Sequence, residues 1–167
     1  SPYATNLRLK QIVEEGASAL NAIGDFPSNI CIDSDHPYAE GVVGVQGSPI
    51  CSYQDMEALA DGIPLDKVSF MFSFNAVVSI PGYISVARNR GIPIEKLRGT
   101  SINLPAMSGC VFGPREYYNE EMPWRMRLYM DYHEFSFKEM PLWHPINVNG
   151  DSVRETGGDA AHEIAIS

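Results

Sequence analysis

The stretch KVSFMFSFN, Lys67 to Asn75, alternates with period two. Val68, Phe70, Phe72 and Phe74 fall on one face, and Ser69, Met71, Ser73 and Asn75 on the other. That period is the mark of a β-strand. Its aromatic face has to pack under helices. The opposite face is small and mostly polar, whereas the inward face of an ordinary eight-fold barrel is filled by Val, Ile and Leu.

Outward from this strand the chain alternates strands with helices. Upstream, a helix is predicted from about Asn6 to Ala19, with Leu9, Ile12, Val13 and Gly16 at helical spacing, and ALNAI, Ala19 to Ile23, reads as a short strand. CSYQDMEALADG gives a second helix, with Ser52 as N-cap, Asp55 three residues on and Gly62 as its end. Downstream, Val77 to Arg90 reads as a helix closed by Gly91, and GIPIEKL as a short one with Pro93 near its first turn. GTSINL, Gly99 to Leu104, is the third strand. A Pro- and Tyr-rich excursion, CVFGPREYYNEEMPW, then delays a helix on which Met126, Met130, His133 and Phe137 share a face through about Lys138. HPINVNG, His144 to Gly150, supplies the fourth strand, and SVRETGGDAAHEIAI a last helix.

Four β-then-α units predict parallel neighbours, and therefore an α/β fold comprising about half of a TIM-type (β/α)8 barrel in a single domain, residues 1–167. A four-stranded doubly wound sheet is the alternative. Half a barrel exposes two strand edges, so the remainder is expected in a longer parent chain or a partner subunit. A pattern that breaks off at the chain end agrees with that expectation.

The third strand places Ser101 and Asn103 opposite Thr100, Ile102 and Leu104. The fourth places Asn147 and Asn149 opposite Ile146 and Val148. A buried polar group without a partner costs about 1 to 3 kcal/mol. An inner face of Ser and Asn is therefore expected to satisfy itself, to hold water, or to hydrogen-bond an extended, amide-bearing ligand along its length. Ser69, Ser73, Asn75, Thr100, Ser101, Asn147 and Asn149 are the candidate substrate-binding residues. Asp151 and Ser152, at the carboxyl end of the fourth strand, are catalytic candidates, because barrel active sites lie at that end.

Twelve Lys plus Arg against 21 Asp plus Glu give a net charge of −9, which argues against nucleic acid or an anionic membrane as the main partner. No apolar run approaches the roughly 18 to 20 residues of a spanning helix, and the N-terminal residues lack a leader pattern. A cytoplasmic location is expected. Cys31, Cys51 and Cys110 have no C-x-x-C spacing, so they are expected to be buried or half-buried thiols, with no metal site. DSDHPYAEG reads as a polar loop in which Asp33 or Asp35 ties down backbone N–H groups. His133 and His162 read as solvated or helix-packing, and His144 as structural, at the strand end away from chemistry.

DGIPLDKVSFMFSFN, GIPIEKLRGT, DSDHP and MPLWHPINVNGDSVRETGGDAAHEIA resemble the substrate-binding barrel of the coenzyme-B12-dependent acyl-CoA mutases, typified by methylmalonyl-CoA mutase. The resemblance runs from about Leu20 to the last residue and covers about the first half of that barrel. It implies an acyl-CoA ester whose pantetheine arm threads the axis, with adenosylcobalamin over the carboxyl ends of the strands. It also implies a carbon-skeleton rearrangement, hence an isomerase if the chain is active. The cofactor would be bound largely by a partner domain or subunit absent from this chain, and the partners implied are a second half-barrel, a cobalamin-binding subunit or both, or further copies of the chain.

The chain departs from the family pattern in three places. Asp151 and Ser152 stand where the family has Tyr-His after the fourth-strand Gly, and Ile102, Asn103 and Leu104 where it has Gln-Asn-Asp; Asn103 alone keeps the family residue, and the resemblance makes it a third catalytic candidate. Ser28, Asn29, Ile30 and Cys31 stand where it has Thr-His-Arg-Gly facing substrate and corrin, which makes Asn29 the cofactor-binding candidate. Ser152 can donate a hydrogen bond, but it cannot act near neutral pH as the proton-transfer group that His is. Two alternatives follow: a non-catalytic half-barrel that completes a partner's barrel, and a cobalamin-independent enzyme using Asp151 as acid or base on an acyl thioester.

Overall fold

The computed structural model describes residues 1–102, 116–147, 150–155 and 157–166, with the backbone alone at 116–125, 151–152 and 166. Four strands form one sheet: β1 (Ala19–Ile23), β2 (Ser69–Ser73), β3 (Gly99–Ser101) and β4 (Trp143–His144). All pairs are parallel and the order is β1-β2-β3-β4. A doubly wound sheet reverses its order at a switch point. The sequential order found here is that of a singly wound sheet, consistent with part of a TIM-type barrel.

The helices are α1 (Pro2–Glu14), α2 (Phe26–Ile30), α3 (Tyr53–Ala60), α4 (Ala76–Asn89), α5 (Glu116–Glu139), α6 (Asp151–Glu155) and α7 (Ala160–Ile166). α1 starts four residues before its apolar pattern because Ser1 caps it and Pro2 supplies a preset φ at its first position. Gly16, at φ +102, ends it early enough to free Ala17 and Ser18 as the turn into β1. At α3 the expected capping box is present, with Ser52 and Asp55 satisfying each other's backbone N–H.

Four expectations fail at element level: among the described residues β4 holds only Trp143–His144 where His144 to Gly150 was expected, and three helices differ. α5 begins at Glu116, inside the stretch read as an excursion. The last helix is two helices, separated by Gly157 at φ +94. GIPIEKL yields one 3₁₀ turn, Ile94–Lys96.

The core lies between the sheet and α1, α3, α4 and α5. Phe70, Phe72 and Phe74 are each at most 1% exposed, and the rings of Phe70 and Phe72 lie 5.5 and 5.1 Å from that of Tyr83. Trp143 closes the same cluster from β4, 5.9 Å from Tyr83, and its indole N–H donates to the Tyr132 hydroxyl at 2.8 Å. Burial of each large ring contributes roughly 1.5 to 3 kcal/mol. Asn6 of α1, also buried, donates to Leu59 O at 2.9 Å and Asp61 O at 2.8 Å, satisfying carbonyls that the end of α3 leaves open.

Gly99 is required at the start of β3. It sits at φ +148, and a Cβ there would lie 1.9 Å from the Phe70 carbonyl oxygen and 2.7 Å from the Trp143 ring. Cys31 and Cys51 are exposed, against the expectation of buried thiols, because both flank the loops after β1 and not the core. Cys110 lies outside the described residues. No helix among the described residues is long and apolar enough to cross a membrane.

Candidate functional site

Strand register sorts the two faces of the sheet. Leu20 pairs with Phe70 and Ala22 with Phe72, all buried beneath the helices. The residues between them point the other way: Ala19 beside Ser69, Asn21 beside Met71, Ile23 beside Ser73. On this open face Ser73 Oγ donates to Asn21 Oδ1 at 2.7 Å. The bond fixes the amide and leaves its Nδ2 pointing its donors elsewhere. Asn21 was not among the expected residues, although period two in ALNAI groups it with Ala19 and Ile23.

The same register continues across the sheet. Met71 pairs with Thr100, and Thr100 with His144, so Asn21, Met71, Thr100 and His144 form one row across all four strands. Thr100 Oγ1 is shielded from solvent and has no hydrogen-bond partner among the described residues. His144 is exposed. It therefore lies level with the middle of β2, not at the end away from chemistry, because the ladder of β4 begins at Trp143, one residue before the stretch expected to form it.

Ser69, Ser73 and Thr100 thus share the open face. Ser101 does not. It pairs with Phe72, is fully buried, and has its hydroxyl beneath the helices without a partner among the described residues. The expected face assignment for β3 was out by one residue because Gly99 and Thr100, not Ser101, are aligned with Phe70 and Met71. Asn75 also leaves the face: its Oδ1 accepts from Val77 N at 3.0 Å, capping α4, and its Nδ2 donates to Asn29 O at 3.4 Å. Asn147 is half-buried in irregular chain beyond β4. Asn103 and Asn149 lie outside the described residues. So do the side chains of Asp151 and Ser152, whose backbone opens α6.

At the carboxyl end of β1 the turn is held by its own side chains. Asp25, fully buried, accepts from Ser28 N at 3.0 Å, Ser28 Oγ at 2.6 Å and Gly44 N at 2.8 Å. Asn29 Nδ2 donates to Gly24 O at 3.2 Å and Asp25 O at 3.0 Å. Both amide hydrogens of Asn29, expected to face the corrin, are spent on backbone, and Ser28 beside it is buried. In the DSDHP loop the capping group is His36, whose Nδ1 accepts from Tyr38 N at 3.1 Å, in place of Asp33 or Asp35. Among the described residues no group of three or more His, Cys, Asp or Glu is arranged to hold a metal ion.

With a singly wound parallel sheet and a polar open face established, likeness to known proteins becomes informative. The family model for methylmalonyl-CoA mutase matches residues 1–167. The chain belongs to the methylmalonyl-CoA mutase family. It is 31% identical over 165 residues to the 2-hydroxyisobutanoyl-CoA mutase large subunit of Aquincola tertiaricarbonis, a match covering 98% of this chain and 29% of that protein. It is 33% identical over 163 residues to the methylmalonyl-CoA mutase large subunit of Streptomyces virginiae, covering 96% and 22%. To the mitochondrial methylmalonyl-CoA mutase of Homo sapiens it is 31% identical over 168 residues, covering 96% and 21%. The chain therefore spans less than a third of the length of these mutases. Within this family segment, the face lined by Asn21, Ser69, Ser73 and Thr100 is the candidate ligand-binding wall.

Proposed function

We propose that this chain supplies the acyl-thioester-binding wall of a cobalamin-dependent acyl-CoA mutase. The open face of the parallel sheet carries this reading: it presents Asn21, Ser69 and Ser73 around Met71, with the shielded Thr100 hydroxyl beside them, while every aromatic ring of β2 is turned to the core. An extended thioester arm rich in amides would find donors and acceptors there in place of packed hydrocarbon. The reading keeps Asn147 and Asn149 as expected contacts along the same path and Asp151 and Ser152 at its upper end. The cofactor would belong to a cobalamin-binding module or subunit, with a second half-barrel closing the axis. Isothermal titration calorimetry with propionyl-CoA and methylmalonyl-CoA, on the chain with and without co-purifying subunits, tests the proposal. Saturable binding of either ester supports it; absence of heat in both preparations rejects it.

A second reading, a half-barrel that completes a partner's barrel without catalysis of its own, is favoured by the first turn. Ser28 and Asn29, which stand where the family has a Thr-His pair, are committed to local hydrogen bonds. Ester binding without turnover by the complete assembly, after cobalamin is supplied, would select it. The Asp151-based alternative predicts turnover of an acyl-CoA in the absence of cobalamin.

A further inference from the structure

The register of β3 decides what stands at the carboxyl end of the open face. Ser101 is turned to the core, so period two returns Ile102 to the side of Met71. The ladder runs on through this residue, since Ile102 N donates to Phe72 O at 3.0 Å. Ile102 therefore lies across from Ser73 on one side, as Ile23 does on the other. The last row of the face reads Ile23, Ser73, Ile102. Ile23 is 51% exposed, and Ser73 and Ile102 are half-buried. The one hydroxyl of the row donates to Asn21, in the row below.

The chain that follows β1 and β2 brings no cation to this row. From Gly24 to Ser52 it has no lysine or arginine, but it holds Asp25, Asp33, Asp35 and Glu40. From Phe74 to Ala87 it has no charged residue at all. Recognition of a carboxylate relies on cationic donors, the arginine fork above all. A carboxylate set between two isoleucines gives up water and gains no donor in exchange. A branched hydrocarbon group gives up nothing there, and it covers apolar surface that otherwise faces solvent.

Resting on the acyl-thioester reading above, we infer that the ester carries an uncharged, branched aliphatic acyl group. Ile23 and Ile102 are then specificity-determining residues, which select that group over one bearing a second carboxylate. Neither moves a proton. The selection is made at the end of the strands where barrel chemistry occurs, and it does not depend on how the rest of the ester is held.

The test is calorimetric titration of the assembled protein, the chain with its co-purifying subunits, using isobutyryl-CoA and methylmalonyl-CoA. The two esters differ only by a methyl group against a carboxylate. Isobutyryl-CoA should bind roughly tenfold or more tightly than methylmalonyl-CoA. Ile23→Lys, which offers the carboxylate a cation, should bring the two esters within about threefold of each other. Because Ile23 is exposed, this variant should melt with the wild type, which separates altered selection from lost fold. Methylmalonyl-CoA binding as tightly as isobutyryl-CoA to the wild type overturns the inference. So does a preference that Ile23→Lys leaves unchanged, since Ile23 would then lie away from the acyl group. Failure of the wild type to bind either ester instead overturns the proposed function itself.

Discussion

Ser73 and Asn21, 52 residues apart, are joined by a 2.7 Å hydrogen bond across β2 and β1 on the face of the sheet opposite the aromatic core. The bond makes Asn21 a fixed donor rather than a rotating amide. Replacing Asn21 with Leu removes that donor and leaves the Ser73 hydroxyl to solvent. If the open face binds an acyl thioester as proposed, affinity should fall roughly tenfold by calorimetry, while the thermal midpoint changes little, because the pair is exposed.

Gly99 allows the sharpest test of the fold. A methyl group at this position would overlap the Phe70 carbonyl oxygen, which belongs to backbone and cannot move aside, and the backbone there is already at φ +148. Gly99→Ala should cost more than about 3 kcal/mol in chemical denaturation, or prevent recovery of folded protein. A variant that melts like wild type would contradict the pairing of β2 with β3.

Tyr83 places its hydroxyl in the aromatic core without a partner among the described residues. Burial pushes the phenol well above its ordinary value, so it stays neutral at any working pH. Tyr83→Phe should leave stability unchanged or raise it by about 1 kcal/mol, because a desolvated, unpaired hydroxyl is removed and the ring kept. Tyr83→Ala should cost roughly 3 to 5 kcal/mol. Urea titrations of both variants check the pair.

At the other end of the core, Asn6 donates both amide hydrogens to the backbone where α3 ends. Asn6→Ala should cost roughly 1 to 3 kcal/mol by leaving two carbonyls unpaired. Asn6→Asp should cost more, since a carboxylate can only accept and would face two acceptors. Equal melting of the two variants would refute this account.

The hydrogen bond from Lys10, with the charge of the same ammonium, holds the Asp61 carboxyl below its ordinary value. A carboxyl with a lowered folded pKa adds stability above its unfolded value, near 3.8, and that stability is lost as pH falls through the folded pKa. The side chain is 69% exposed, so the effect is small and screened by salt. Asp61→Asn should lower the melting temperature slightly at pH 7 in low salt and match wild type near pH 2. A difference that persists at pH 2 would assign the effect to packing.

The β2 faces could be read from the sequence because the stretch Val68 to Asn75, with period two and three phenylalanines, leaves only one face for the helices to cover. The capping box at Ser52 and Asp55 and the stops at Gly62 and Gly91 were equally local, each needing only its own backbone. Ser101 was misplaced for the opposite reason. Which residue of GTSINL aligns with Phe72 depends on where the Gly99 backbone can lie against Phe70, and a shift of one residue exchanges the faces. Asn75 and Asn29 are alike in this. Their types suit ligand binding, but the turns around them use their amides first.

The sequence by itself determined the α/β alternation, the aromatic side of the sheet and kinship with the mutases, because period, caps and motif frame are properties of neighbouring residues. Only the tertiary structure decided which polar side chains share the open face. Bringing Asn21, Met71, Thr100 and His144 into one row depends on hydrogen-bond register between strands up to 123 residues apart, and register is set by how glycine, indole and phenyl groups pack.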